Sequence, residues 1–356
     1  MIKFFRHIRK SLLMENKTSK PALPVGRYFK YAIGEIVLVV IGILIALQIN
    51  NWNEKAKNKI STDVLLKEIH NDLQLDLLRM QDIIEWGERV DSIYDVHNND
   101  TFPSLDIKAP ENVKYLNLGR YTYPIKLNEQ AYLKLVDNRD QLPKSYSKLV
   151  SSLDLFYSTY KTLLEETNTK FNNNLEQFEE LRFSQPFFID WKERKLTTEM
   201  LQFFRQNSEY KKYLYINDKQ IDKYRSTCIF IANRITLLKY RIANSINAKK
   251  MNETEERIVF EQSELEQYKG TYETRTAESM LIFEPEGTAL LGRAIRAKKI
   301  FEEYFVMERI AKDTINRIHF KNEFLVFKRN EKSEIVGLDS YINNVLVHSG
   351  KKINND

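Results

Sequence analysis

Several residue types that build common functional sites are scarce in this sequence. The 356 residues include 1 Cys, 10 Gly, 8 Pro and 5 His. A single cysteine, Cys228, excludes an intramolecular disulfide framework and a zinc site made of thiolates. The low glycine and proline content excludes collagen-like and low-complexity architectures and disfavours glycine-rich phosphate loops. The scattered histidines offer little material for a metal centre, so we predict neither a metal nor a cofactor.

The positive charge of the chain is concentrated at its N-terminus. The formal net charge is +6, and residues 1–30 alone carry eight basic residues against one acidic residue. Residues 262–356 hold 15 basic and 15 acidic residues, and residues 31–261 hold 32 and 33. A basic body is the footprint of a nucleic-acid-binding protein. Because this body is nearly neutral, we expect no nucleic-acid partner.

A long apolar run follows the basic tail. It reads AIGEIVLVVIGILIALQI from Ala32 to Ile49, with Glu35 as its single charge. Tyr31 and Trp52 flank it, and their separation of about 31 Å along a helix matches a hydrocarbon core of about 30 Å. Aromatic residues at both edges are typical of a spanning helix, whereas a buried core helix would need apolar neighbours that the rest of the chain lacks. We predict a transmembrane helix over residues 31–52, with the lipid bilayer as its partner.

The charges that flank this run predict its orientation. The positive-inside rule places residues 1–30 in the cytoplasm and residues 53–356 outside it. The run ends in Gln48-Ile49-Asn50-Asn51, which offers no small-x-small cleavage site. We therefore expect an uncleaved signal-anchor. The sequence has no second long hydrophobic stretch, which predicts a single crossing of the membrane.

The tail has a pattern of its own. Apolar residues recur at helical spacing at Ile2, Phe5, Ile8 and Leu12, accompanied by the basic residues Lys3, Arg6, Arg9 and Lys10. One interpretation is a basic amphipathic helix that lies on an anionic membrane surface. The other is that these charges only set the topology, and the two interpretations are compatible.

One stripe of the predicted span contains small residues and an acid. Glu35, Gly42 and Ala46 fall on the same helical face, and Gly42-x-x-x-Ala46 is a pair that lets two helices approach closely. A homodimer through this face would shield Glu35 from lipid. The alternative is that Glu35 lies at the membrane interface and that Gly42 has no special role.

Residues 53–250 are predicted to form an antiparallel helical bundle outside the membrane. Apolar periodicity indicates long helices over 61–98, 143–182 and 208–249, with Ser61 as the N-cap of the first, and shorter helices over 127–138 and 197–207. Cys228 lies on the apolar face of the last long helix and is interpreted as a buried, unreactive thiol.

Aromatic residues are concentrated between residues 183 and 215. They indicate either a patch that binds a partner or ligand, or a cover over the end of the bundle. The residues assigned to the patch are Phe187, Phe188, Trp191, Phe203 and Phe204.

The apolar period changes from 3.6 to 2 at about Met251. Short alternating runs follow, separated by turn signals such as Glu286-Gly287, Asn330-Glu331-Lys332 and Asn343-Asn344. This pattern predicts that residues 262–356 form a small antiparallel β-barrel or sandwich. The predicted fold class is α+β: one transmembrane helix, a helical bundle and a β-domain.

Two regions resemble known families. LEQYKGTYE at residues 265–273, together with Ile335-Val336-Gly337-Leu338, is similar to the small lipocalin-like β-domain appended to penicillin-binding-protein-like serine hydrolases. This resemblance implies an accessory module, because the catalytic residues of those hydrolases lie in another domain. The N-terminal segments MIKFFR, YAIGEI and GILIALQINNWNE resemble an uncharacterised bacterial family of single-span membrane proteins. That resemblance implies a single-span topology, with an inner-membrane location and residues 53–356 in the periplasm. Because the function of the family is unknown, the resemblance transfers no catalytic residue.

The sequence carries no hydrolase signature. Ser145-x-x-Lys148 and Ser158-x-x-Lys161 read S-x-x-K, but neither a Lys-Thr-Gly nor a Ser-Asp-Asn motif accompanies them, so we assign them no role. His319 and His348 are expected to be surface residues on strands. We therefore predict that the protein is not an enzyme.

Three hypotheses on function follow. The first is an anchored scaffold or interaction protein that presents the bundle and the β-domain to a protein partner. The second is a ligand sensor that acts through a partner in the membrane, and a buried pocket would favour it. The third is an envelope hydrolase, which only the hydrolase-associated β-domain suggests.

Overall fold

The computed structural model describes residues 24–98, 114–115, 125–193, 195–247, 253–273, 279–296, 299–300 and 304–353. The tail residues Lys3, Arg6, Arg9 and Lys10 lie outside these ranges, as does the side chain of Tyr31. The chain divides into two compact units, residues 1–60 and residues 61–356. The second unit contains both the predicted bundle and the predicted β-domain.

The first helix, α1, runs from Pro24 to Asn98. Proline suits a first turn because its missing N–H has no helical partner there. The predicted helix start at Ser61 is wrong, because α1 continues through residues 53–60. That segment reads NEKAKNKI and has no glycine or proline to end a helix. In the first unit, α1 contains a stretch long and apolar enough to cross a membrane, and none of that stretch is buried.

The remaining helices of the bundle agree with the predicted segments within a few residues, except for one short helix. α2 spans Gln130–Asp137, α3 Ser147–Leu155, α4 Lys161–Phe183, α5 Phe188–Lys192, α6 Thr198–Gln206 and α7 Ser208–Ser245. The short helix α5 was not predicted. The predicted helix over 143–182 is divided by a π-helical turn at Phe156–Tyr160. This turn buries two successive residues, Phe156 and Tyr157, and Tyr157 stacks on Tyr132 of α2 with ring centroids 4.3 Å apart.

Ring contacts show that the long helices of the bundle are antiparallel. Phe171 of α4 stacks on Tyr224 of α7 at 5.3 Å, and Phe178, two turns later in α4, meets Tyr210, four turns earlier in α7. The second-unit part of α1 also runs opposite to α7, since Asp91 pairs with Arg225 and His97 meets Tyr210. The antiparallel bundle is therefore present.

The C-terminal region is a closed β-barrel, which decides between the two predicted forms. The strands are β1 Gly270–Glu273, β2 Ser279–Glu286, β3 Ala289–Arg296, β4 Lys299–Ile300, β5 Phe305–Ala311, β6 Thr314–Arg317, β7 Glu323–Arg329, β8 Ile335–Ile342 and β9 Val345–Ile353. Every pairing is antiparallel, in the order β2-β1-β9-β8-β7-β6-β5-β3. A pairing between β2 and β3 closes this ring of eight strands, and the short β4 pairs with β3.

Two predicted turns close hairpins of the barrel. Gly287, between β2 and β3, has φ +62, and Asn343 and Asn344, between β8 and β9, have φ +50 and +63. In the turn between β8 and β9, both central residues have positive φ. This is the geometry of a tight hairpin that matches the strand twist, and asparagine tolerates it well. Two short helices precede β1: α8 at Glu253–Glu256 and α9 at Gln262–Tyr268. Helix α9 buries Leu265 and Tyr268 in the barrel core.

The bundle and the barrel share a packed junction. The outward face of the barrel presents Leu291 and Val306 to Leu237 and Tyr240 of α7. The side-chain amide of Asn233 on α7 pairs with the backbone of Val306, accepting from its N–H at 3.2 Å. These apolar contacts and hydrogen bonds join the barrel to α7.

Candidate functional site

The predicted aromatic patch is mostly part of the bundle core. Phe187, Trp191, Phe203 and Phe204 are all less than 9% exposed. The guanidinium carbon of Arg182 lies 4.6 Å from the centroid of the Trp191 ring. The centroid of the Tyr210 ring lies 5.1 Å from those of Phe203 and Phe204. Phe188 alone among the five assigned residues is half-buried, beside the exposed Phe183. The arrangement is that of a cover over one end of the bundle.

His97 lies in the same aromatic cluster and has a defined tautomer. Its Nε2 lies 2.8 Å from the carbonyl oxygen of Tyr115, which can only accept a hydrogen bond. Nε2 therefore carries the proton, and Nδ1 accepts from the Tyr210 hydroxyl at 3.1 Å. Burial lowers the pKa of His97 to about 4, so that the imidazole is neutral at pH 7.

The membrane-anchor residues whose side chains the structure describes lie on the surface of α1. Glu35, Gly42, Ala46 and Trp52 are exposed, and an added methyl at Gly42 would meet no atom within 4 Å. The stripe is available for lipid or for a second helix.

In the sequence Ser158-x-x-Lys161, neither side chain is placed to act as a nucleophile or as its general base. Ser158 donates its hydroxyl hydrogen to the carbonyl oxygen of Asp154 at 2.6 Å. Lys161 donates to Glu129 at 2.6 Å, and this hydrogen bond raises the pKa of the ammonium group. A general base would need a lowered pKa. Cys228 is fully buried, and burial raises the pKa of its thiol, as expected for an unreactive cysteine.

A buried charged network joins α1 and α7 to α8, the short helix Glu253–Glu256 that leads into the barrel. Glu255 accepts from His70 of α1 at 2.6 Å and pairs with Lys239 of α7 at 3.3 Å. Lys239 also donates to Gln74 of α1. Burial by itself raises the pKa of Glu255, but His70 and Lys239 outweigh it and hold that pKa below its usual value. This network fixes the connection between bundle and barrel.

A pocket of about 450 Å³ lies beside this network, between α1 and the barrel. Its volume falls within the range of about 300–1,000 Å³ that is typical of small-molecule sites. Helix α1 contributes one wall, and β5, β6 and the turn after β6 contribute the other. The lining residues are Gln81, Ile84, Glu85, Arg257, Glu308, Ile310, Asn316, His319, Phe320 and Lys321.

His319 is the most constrained group of this pocket. It has φ +72, and its Nε2 lies 3.0 Å from the hydroxyl oxygen of Thr236 on α7. The Thr236 hydroxyl donates to the carbonyl oxygen of Ala232, so that it accepts from His319 and the proton lies on Nε2. Burial, together with the charges of Arg257 and Lys239, lowers the pKa of His319 to about 4. The ring is neutral, and Nδ1 is its remaining acceptor.

Two further polar groups of the pocket are also held in place. Glu308 is 6% exposed and pairs with Arg257, while burial raises the pKa of its carboxyl above the usual value. Asn316 is 5% exposed and donates its amide hydrogen to the carbonyl oxygen of Phe320. At the rim, Lys321 pairs with Glu88 at 3.0 Å.

Sequence reasoning did not find this pocket. His319 was expected on a strand at the surface, but it follows β6 in a left-handed turn and is half-buried. His348 does lie on a strand, β9, although it is also half-buried. The pocket residues come from α1, the connection and the barrel, which are far apart in the chain, and no local motif joins them.

Comparison with known protein families gives a match in the N-terminal part. Residues 35–117 match a family described as "Family of unknown function (DUF6090)". The match agrees with the resemblance of the N-terminal segments to an uncharacterised family. No curated protein and no solved structure matches the chain. The resemblance of the barrel to lipocalin-like domains stays a prediction from sequence.

Proposed function

We propose that this protein is a membrane-anchored interaction protein that presents its bundle and barrel outside the cytoplasm. The observation that carries the proposal is the apolar stretch of α1, of which no part is buried by the protein. An exposed helix of that length and composition is unstable in water and is stabilised by lipid.

The orientation rests on the distribution of charge. The eight basic residues before the apolar stretch favour a cytoplasmic tail, because basic flanks resist translocation. With this orientation, residues 53–356 lie in the periplasm of a bacterial cell. The nearly neutral body favours a protein partner over a nucleic acid.

The mode of action that we propose is binding and not catalysis. Ser158 donates its hydroxyl hydrogen to the carbonyl oxygen of Asp154, and Lys161 donates to the carboxylate of Glu129, which favours the protonated form of the lysine. The packed junction between α7 and the barrel makes the second unit a stable platform for a partner. Pairing of two chains through Gly42 and Ala46 would present two copies of the second unit to a partner.

The pocket beside His319 favours a second candidate function, the sensing of a small ligand. Gln81, Ile84 and Glu85 of its wall lie on α1, the helix that also contains the apolar stretch. A ligand that binds one arrangement of α1 and the barrel more tightly than another would shift their equilibrium, and a membrane partner could respond to that shift.

Fusion to alkaline phosphatase tests the first proposal. We expect phosphatase fused after Asp356 to be active, and we expect the fusion protein to stay in the membrane fraction after alkaline extraction. Deletion of residues 1–52 should release the remainder into the soluble fraction. An inactive phosphatase fusion, with an active cytoplasmic reporter at the same place, would contradict the orientation.

A further inference from the structure

We propose that the pocket between α1 and the barrel binds a small, neutral, polyhydroxylated molecule of the saccharide class. This inference deepens the sensing function proposed above by naming its ligand chemistry. It is carried by the hydrogen-bonding groups that the pocket presents, by its charge balance and by its size.

The wall of the pocket contains both hydrogen-bond acceptors and N–H donors. His319 uses its N–H on Thr236 and leaves the Nδ1 lone pair, and Asn316 uses an amide hydrogen on Phe320 and leaves its carbonyl oxygen. The carboxylate of Glu308 is an acceptor whose only ion-pair partner among the described residues is Arg257. A ligand with hydroxyl groups can donate to these acceptors and can also accept from the N–H groups of Gln81 and Arg257, which line the same pocket.

The charges around the pocket disfavour a charged ligand. Glu85 and Glu308 oppose Arg257 and Lys321, so that each sign of ionic ligand would meet like charge in the wall. An anion would also compete with Glu308 for Arg257, and an ammonium group would lie near that guanidinium. A neutral ligand avoids both costs.

The apolar residues and the volume of the pocket fit a sugar ring. Ile84 and Phe320 lie in the wall, and Ile310, which is 55% exposed, lies at an accessible position. A pyranose ring has apolar C–H faces and a polar edge, which matches a site of apolar walls and a few fixed polar groups. The volume of about 450 Å³ accommodates one or two rings.

The test uses the full chain in lipid nanodiscs, titrated with glucose, N-acetylglucosamine and maltose by calorimetry. Propionate and ethylammonium serve as the two ionic probes. Ile310→Trp fills the accessible side of the pocket, and Val345→Trp is its matched control at a strand residue that is 63% exposed on β9. His319→Asn removes the ring acceptor but keeps a residue that tolerates positive φ.

We expect at least one of the sugars to bind the wild type and Val345→Trp with millimolar or better affinity. We expect Ile310→Trp and His319→Asn to weaken that binding by about tenfold or more. Absence of sugar binding, tighter binding of either ionic probe, or sugar binding unchanged in Ile310→Trp would each overturn the proposal. None of these results depends on the orientation in the membrane, so the phosphatase fusion tests the anchoring function independently of sugar binding.

Discussion

At the scale of single residues, the network of Glu255 shows how buried charge fixes the connection between bundle and barrel. Lys239 and Glu255 are at most 1% exposed, and His70 and Gln74 complete their hydrogen bonds. Such a pair adds little net stability over an apolar pair of the same shape, but removing one partner leaves an uncompensated charge.

Glu255→Gln should therefore destabilise the protein strongly. We expect the free energy of unfolding to fall by about 3 kcal/mol, because the Lys239 ammonium group would remain buried without its carboxylate. Urea denaturation followed by tryptophan fluorescence measures this change.

Two controls accompany that variant. Glu193→Gln breaks an exposed pair with Lys195 and should change the stability very little, since water screens it. The double variant Glu255→Leu/Lys239→Met should recover most of the lost stability. Equal stability of Glu255→Gln and the wild type would contradict the account of the network.

The lowered pKa of His97 predicts that the free energy of unfolding depends on pH. Its pKa is about 4 in the folded protein and near 6.5 when unfolded, so the unfolded chain binds more protons between these values. The stabilisation by neutral His97 is complete above pH 6.5 and is lost as the pH falls toward 4, by up to about 3 kcal/mol.

His97→Gln isolates this contribution, because glutamine can also donate to Tyr115 and accept from Tyr210 without titrating. We expect the melting temperature of the wild type to fall more than that of His97→Gln between pH 7 and pH 4.5. Parallel curves for the two proteins would show that His97 does not titrate in this way.

At the scale of elements, local pattern predicted most helices and strands, and it failed where a boundary depended on packing. The periodicity of 208–249 predicted α7 almost to its ends, and the alternation after Met251 predicted the strands. Ser61 was a plausible cap but not a boundary, because nothing in residues 53–60 stops a helix. The π-helical turn at Phe156–Tyr160 could not be predicted from sequence, since it has no local signature and the contact that accompanies it, the stacking of Tyr157 on Tyr132, joins two separate helices.

The apolar part of α1 carries a prediction about self-association. If two copies pair through Gly42 and Ala46, Gly42→Ile should block close approach and weaken the dimer. Interhelical polar contacts average only about 0.6 kcal/mol, so close packing would supply most of the association. Val37→Ile, on another face, should have no effect. A transmembrane-association reporter that gives equal signals for Gly42→Ile and the wild type would show that this stripe faces lipid.

At the scale of the whole molecule, the fold class followed from sequence, but the junction and its pocket did not. A closed barrel and an antiparallel bundle are consequences of periodicity and turn residues. The contact of Asn233 with Val306 and the approach of His319 to Thr236 join residues more than 70 positions apart. Such contacts depend on the docking of complete elements, which no local pattern specifies. The burial of the aromatic residues near Trp191 also depends on how complete helices dock. The sequence therefore left open whether they form a binding patch or a cover over the end of the bundle.

We propose that α1 anchors the chain with residues 53–356 outside the cytoplasm, and a cysteine-labelling experiment measures this topology. Cys228 is fully buried and should stay unlabelled, so a second cysteine can be introduced in two separate variants. One variant carries it at Lys332, which is exposed between β7 and β8, and the other at Ser11 in the tail. In intact spheroplasts, a membrane-impermeant maleimide should label Lys332→Cys and should label Ser11→Cys only after lysis. Labelling of Ser11→Cys in intact spheroplasts, with Lys332→Cys protected until lysis, would contradict the account.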